Sequence, residues 1–351
     1  EIVMNNSEKQ ITPEILFEHT KLFHAYRNIL YLSNNKCYMN NDFNNELTLF
    51  LERNNKNIEN IIYFSLVLKN RLRQKLLNDT FKIINEIENE IKKDSLDIGL
   101  KIKLEEEKKE ILDIFLNEVD ETKKIIDKHY LFLLSEINQL KTQFVNDRVM
   151  PFIIEKENLV STLTTHISTL EYEAEKTKQE LNIIRKSEDI LNKQSFFDLF
   201  KGSIPLKSEI EALNIENQEK SILSSLIEIL NKLFSTLNHG FSYTKVVETR
   251  HQLTALCLSQ IKQLNQLKNK KQNTLFTLKH YYKLTDIDPF LRIFIEQLEL
   301  LNKYWEMINS QLTKLKSNIL LTEKILTPIF PFLDDFTLYY GNKGQIKNTE
   351  I

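Results

Sequence analysis

The side chains best placed to act on something outside the protein lie in one stretch, SILSSLIEILNKLFSTLNHG, from Ser221 to Gly240. At 100° per residue, Ile222, Leu223, Leu226, Ile227, Ile229, Leu230, Leu233, Phe234 and Leu237 fall within an arc of about 160°. Ser224, Ser225, Glu228, Asn231, Lys232, Ser235, Thr236 and Asn238 fill the rest of the circumference. Glu228 and Lys232 stand four residues apart, in the order that favours an ion pair on a helix. The chemistry on offer is partition between media: half of this helix suits an apolar environment and half suits water. The commonest use of such a face is packing on a core, and the spacing leaves both uses open. As a helix the seventeen residues from Ile222 to Asn238 are roughly 25 Å long, near the roughly 30 Å of bilayer hydrocarbon. A charge facing lipid costs about 2.5–3.5 kcal/mol. Glu228 and Lys232 escape that cost if their face lines water.

Bond-making chemistry has no comparable candidate. Seven histidines are scattered along the chain without a metal-binding spacing. His129 sits in an apolar ladder and reads as a core histidine. His239 precedes Gly240 and reads as a helix C-cap, with a pH trigger as the sharper alternative. Cys37 and Cys257 are far apart in sequence, without a metal motif, and read as separate thiols. No nucleotide loop, nucleophile triad or carboxylate dyad stands out. The reading is therefore non-enzymatic, with no cofactor and no metal. Net charge is −2 with no basic block, which argues against nucleic acid as a partner.

The elements that hold this stretch are long helices. Only 5 Gly and 6 Pro occur in 351 residues, and sheets and turns consume both. Thr12-Pro13-Glu14 is a helix-start signature after a flexible N-terminus at 1–11. A face of Ile58, Ile61, Ile62, Ser65, Leu68, Leu72 and Leu76 predicts a helix over about 57–93, continued by Ile83, Ile87 and Ile91. A third helix holds Leu112, Phe115, Val119, Thr122, Ile126, His129, Leu133 and Leu140, until Pro151 interrupts it. Val160, Leu163, Ile167, Leu170, Ala174, Thr177, Leu181 and Ile184 then alternate steps of three and four, a coiled-coil seam. Leu253, Leu256, Cys257, Ile261, Leu264, Leu267, Leu275 and Leu278 predict its partner helix. Asp288-Pro289 reads as a capped restart. Phe294, Leu298, Leu301, Trp305, Ile308, Leu312, Leu315 and Ile319 form a second ladder, ended by Pro328 and Pro331. The segment 334–351 reads as a loop-like tail. IFPFLDDFTLYY, Ile329 to Tyr340, reads as an aromatic segment folded back on the bundle, or as a partner contact.

The expected fold is all-α: an elongated bundle of long antiparallel helices, a coiled-coil stalk, over 12–195 and 241–333. Residues 196–240 are its inserted tip, a helical hairpin. The tip opens with SFFDLFKGSIP, where Phe196, Phe197, Leu199 and Phe200 make an apolar cluster before Gly202 and Pro205. Gly202, Pro205, His239 and Gly240 bracket it as hinge candidates. A face as wide as Ile222–Leu237 at a tip must be hidden by folding back, by a partner or by lipid.

Long antiparallel helices, scarce glycine, no secretory signal and an amphipathic hairpin at one end resemble the α-helical pore-forming toxins of the cytolysin A type. SFFDLFKGSIP followed by SILSSLIEILNKLFSTLNHG is most similar to the B component of binary toxins of the alpha-xenorhabdolysin type. The resemblance implies a soluble monomer, secreted without a classical signal peptide. It would join an A component on a target-cell membrane, open its tip and assemble a hetero-oligomeric ring. The apolar face and the Phe cluster would then meet membrane lipid, and Ser224, Glu228, Asn231, Lys232 and Ser235 would face the pore. Single-component cytolysins carry a strongly hydrophobic, glycine-rich tongue. The charges in this tip fit a dependent subunit instead. The competing expectation is a coiled-coil structural or adaptor protein whose tip docks another protein.

Overall fold

The computed structural model describes residues 16–34, 41–234 and 240–341. The helix-start signature at Thr12 and the N-terminus before it lie outside them. The helices are α1 (His19–Leu32), α2 (Asn41–Arg71), α3 (Thr80–Ile91), α4 (Ile98–Leu140), α5 (Val145–Gln194), α6 (Lys207–Glu211), α7 (Asn217–Leu233), α8 (Tyr243–Thr285), α9 (Ile287–Ser317), α10 (Thr322–Leu326) and α11 (Ile329–Gly341). Short 3₁₀ turns cover Phe196–Phe200 and Ile319–Leu321. Among the described residues there is no strand, so the all-α expectation holds. Two compact units divide the chain: residues up to Pro151 together with those from His280, and Phe152–Lys279.

The first unit is built around α4 and α9, which run antiparallel. Lys141 pairs with Glu299 at one end and Lys316 with Asp120 at the other. The α9 ladder is the expected one as far as Leu315: Phe294, Leu298, Leu301, Trp305, Ile308, Leu312 and Leu315 are all fully buried, while the helix ends at Ser317, before Pro328 and Pro331, and Ile319 falls in the 3₁₀ turn that follows. The α4 face from Phe115 to Leu140 meets it, with His129 stacked on Phe64 of α2 at 3.8 Å between ring centroids. Arg53 and Arg71 of α2 reach Glu136 and Glu118 of α4 at 2.8 and 2.6 Å. The aromatic segment folds back on this unit. Phe332 stacks on Tyr304, Tyr339 stacks on Phe23, and Leu333 and Phe336 are fully buried.

Several boundaries differ from expectation. The helix over 57–93 is two helices. Leu77 N–H bonds to the Leu72 carbonyl, closing a wide π turn that keeps Leu68, Leu72 and Leu76 all buried. After the turn the buried pair is Ile84 and Ile87, while Ile83 is exposed. Pro151 does not interrupt a helix; it lies inside α5 on its exposed side. The break falls at 141–144, and a distant residue fixes it. The buried carboxylate of Asp288 accepts the N–H groups of Val145 and Asn146 at 2.7 and 2.9 Å. Asp288 thus caps α5 and not its own helix. The tail read as loop from residue 334 is helical as far as Gly341.

The second unit is the α5/α8 hairpin with its tip. Arg250 approaches Glu188 at 3.4 Å and Lys268 approaches Glu171 at 2.6 Å, which fixes an antiparallel register. The α5 seam is as expected, with Leu163, Ile167, Leu170, Thr177, Leu181 and Ile184 buried. The α8 seam is shifted. Leu253, Gln260, Thr274 and Leu278 are buried, with Leu264 and Leu267 half-buried between them. Leu256, Ile261 and Leu275 face outward at 45–47% exposure. The heptad that meets α5 admits a glutamine and a threonine, and their apolar neighbours are left on the flanks.

Candidate functional site

The helix that bears the amphipathic face is α7, and it lies on the hairpin. It runs antiparallel to α5: Glu219 near its start is 3.8 Å from Lys193, and Lys232 at its end lies beside Lys176 and Glu180. Lys176 is the main cause that holds the Lys232 ammonium pKa below its ordinary value. Leu223, Leu226, Ile227, Ile229 and Leu230 are buried in one core with Leu181, Ile184 and Leu191 of α5, Val246 and Leu253 of α8, and Phe200, Ile210 and Phe241. Ile222 and Phe234 are half-buried on the edge of that core. The wide arc is therefore core in this conformation. Burying such side chains contributes about 1.5–3 kcal/mol each, which makes α7 a firm part of the unit and not a loose flap.

The arc fails at its end. Leu233 is 49% exposed. Leu237, Ser235 and His239 lie outside the described residues. On the polar side Ser224 is half-buried, while Glu228, Asn231 and Lys232 are exposed. Glu228 does not pair with Lys232. Its partner is Lys207 at the start of α6, which sets α6 against α7. Tertiary reach decides this, because Lys207 lies across from Glu228 and Lys232 lies toward Lys176.

The Phe-rich turn splits by position. Phe200 is buried, Phe196 and Leu199 are half-buried, and Phe197 is 37% exposed with its ring edge-on to Tyr243 at 4.8 Å. Pro205 is buried. Three residues have a left-handed backbone among the described ones: Ser195, Gly202 and Gly240, with φ of 57°, 88° and 86°. All three sit where the tip joins α5 and α8. Ser195 is the one that sequence reasoning missed. It ends α5 in a conformation that glycine and asparagine adopt more readily. A Cβ added at Gly202 or Gly240 meets nothing within 4 Å, so both glycines answer to backbone angle and not to crowding.

Among the described residues no group of His, Cys, Asp or Glu could hold a metal ion, and no helix is long and apolar enough to cross a membrane. The apolar face of α7 from Leu223 to Leu230 is hidden by the hairpin and by Phe200 and Ile210 of the tip.

No family model matches the chain, and no curated protein matches it by sequence. Solved structures match it along nearly all of its length. PaxB from Photorhabdus luminescens is 21% identical, with a TM-score of 0.71 over 93% of this chain and 97% of its own. XaxB from Xenorhabdus nematophila is 18% identical, with a TM-score of 0.78 over 93% and 99%. A chain of the XaxAB pore complex from Xenorhabdus nematophila is 17% identical, with a TM-score of 0.69 over 93% and 98%. At these identities the likeness is one of fold, and the fold is the one the tip segments resemble.

Proposed function

We propose that this chain is one subunit of a two-component pore-forming toxin, of the B type. It has no enzymatic role. Its partner is an A-type component, and its target is lipid of a cell membrane. The observation that carries the reading is the cover of α7. Five buried apolar side chains of that helix pack into a core made by the hairpin together with Phe200 and Ile210 of the tip, and the fold is shared with a chain of a pore complex.

The mechanism follows from exchange of cover. On the membrane the joints at Ser195–Pro205 and around Gly240 open. Lipid then replaces the α5/α8 core against Leu223, Leu226, Ile227, Ile229, Leu230 and Leu233. The Phe196–Phe200 cluster moves with them. Ser224, Glu228, Asn231, Lys232 and Ser235 are left to face water. An isolated half-polar helix is unstable across a bilayer, so the open tip requires neighbouring subunits in a hetero-oligomeric ring.

The test is dye release from liposomes with the chain alone, with an A-type component alone and with both. Release is expected only with both. Leu233→Glu, on an exposed position, is expected to keep the folded chain and abolish release. Stable binding of a helical partner in solution, with no liposome association under any of these conditions, favours the adaptor reading and overturns this one.

A further inference from the structure

Where α9 ends, the chain doubles back on it. The Asn318 N–H donates to the Lys314 carbonyl at 3.1 Å, and the Asn318 side chain accepts the Leu320 N–H at 3.1 Å. The returning chain, α10 and the start of α11, then follows α9 until Phe332 stacks on Tyr304 at 3.5 Å between ring centroids. Tyr304, Met307, Gln311 and Lys314 succeed one another at steps of three and four, one stripe of α9. Between that stripe and the returning chain is a cleft of about 210 Å³.

The wall of the cleft and its polar groups differ in kind. Met307, Leu321, Ile325, Pro328 and Ile329 make an apolar wall. The Tyr304 ring lies on it too, held from its other side by Phe332. The remaining lining residues are Gln311, Lys314 and Lys324, and no described lining residue is acidic. Both lysines are exposed. Among the described residues neither ammonium has an ion pair or a hydrogen bond, and neither does the Gln311 amide. Lys314 stands at the end of the stripe nearest the turn, and Tyr304 at the other end.

Two cations and an amide beside an apolar cleft match a molecule with an anionic head and a hydrocarbon tail. The head gains charge-assisted hydrogen bonds, and the tail leaves water for apolar surface. At roughly 30 Å³ for each water-sized group, the cleft holds a tail of about seven carbons. A two-chain lipid is too large for it. We propose that this cleft binds a medium-chain monocarboxylate, its head at Lys314, Lys324 and Gln311 and its tail along Met307 and Ile325 toward Tyr304. The inference stands apart from the pore reading, because it concerns the first unit and not the tip.

The experiment is isothermal titration calorimetry of the full chain with octanoate, octanol and octylamine, each kept below micelle formation. Octanoate is expected to bind saturably, octanol about tenfold more weakly, and octylamine not at all. Hexanoate and butyrate should bind successively more weakly, which tests the tail without altering the protein. Lys314→Ala and Lys324→Ala, both on exposed positions, are each expected to weaken octanoate about tenfold with unchanged helicity. Trp305, the single tryptophan, meets Tyr304 and Phe332 at 6.1 and 6.0 Å between ring centroids. Its emission should change with the same midpoint as the heat, which places the ligand at this cleft. Vesicles of phosphatidylserine, which offer anionic heads on a bilayer, should leave that emission unchanged. Octanoate that does not bind saturably overturns the proposal, as does octylamine that binds equally well. In that case the lysines only cover the apolar wall with their stems. Lysine variants that bind octanoate like the wild type, or an emission change with vesicles alone, overturn it as well.

Discussion

Gly202 and Phe241 are joined backbone to backbone. The Gly202 N–H donates to the Phe241 carbonyl at 2.7 Å, an isolated antiparallel bridge. It ties the turn after the Phe cluster to the residue that leads into α8. Phe241 is buried, with its ring 6.2 Å from Phe200 and 5.6 Å from Phe234. One peptide pair thus closes the mouth of the tip, and the two glycines beside it hold the angles that permit it.

Gly202→Ala and Gly240→Ala should therefore loosen the tip without touching a packed side chain. Each forces an L residue into the left-handed region, at about 1–2 kcal/mol. The measurement is hydrogen exchange. Protection of α7 amides from Leu223 to Leu230 should fall, while that of α9 should not. Equal loss in both would show that the tip does not open as a separate unit.

Leu226 and Leu233 should answer differently to the same change. Leu226 is fully buried and Leu233 is half out. Leu226→Ala is expected to destabilise the hairpin unit by about 2–5 kcal/mol, and Leu233→Ala to stay within about 0.5 kcal/mol. Denaturant unfolding of both variants checks this. In sequence the two residues belong to one apolar arc, and only the end of the hairpin core separates them.

That difference marks what was legible beforehand. Period and composition revealed the long helices, because each buries one stripe along its whole length: Phe294 to Leu315 in α9 and Leu163 to Ile184 in α5. The buried face of α7 was legible for the same reason, from Leu223 to Leu230. What the sequence could not show were choices made by distant partners. The α4/α5 break depends on Asp288, which lies 143 residues from Val145. The α8 seam depends on which of two stripes the α5 heptad accepts, and a buried Gln260 and Thr274 hide the answer. Glu228 turned to Lys207 and not to its helical neighbour.

The Asp288 cap yields its own prediction. Its carboxylate accepts two backbone N–H groups at the start of α5 and is itself buried. Asp288→Ala leaves both donors without that acceptor, at about 1–2 kcal/mol. Asp288→Asn keeps one acceptor oxygen and should recover part of the loss. The check is thermal unfolding of both variants side by side. An alanine variant as stable as the wild type would mean that the α4/α5 corner needs no cap.

His129 makes the first unit acid-sensitive. Its ring is stacked on Phe64, meets Trp305 edge-on at 5.8 Å, and leaves Nε2 with no hydrogen-bond partner among the described residues. Burial alone lowers its pKa from 6.5 to about 4. The folded chain thus refuses a proton that the unfolded chain accepts. Above pH 6.5 the residue adds no pH dependence. As pH falls from there toward 4, stability is lost, by about 3 kcal/mol at most for a lowering of this size. His129→Phe keeps the stack on Phe64 and removes the proton site. Denaturant midpoints measured at pH 7 and pH 4.5 should therefore converge in that variant relative to the wild type. If the variant keeps the wild-type slope between those two pH values, the acid sensitivity belongs to other groups.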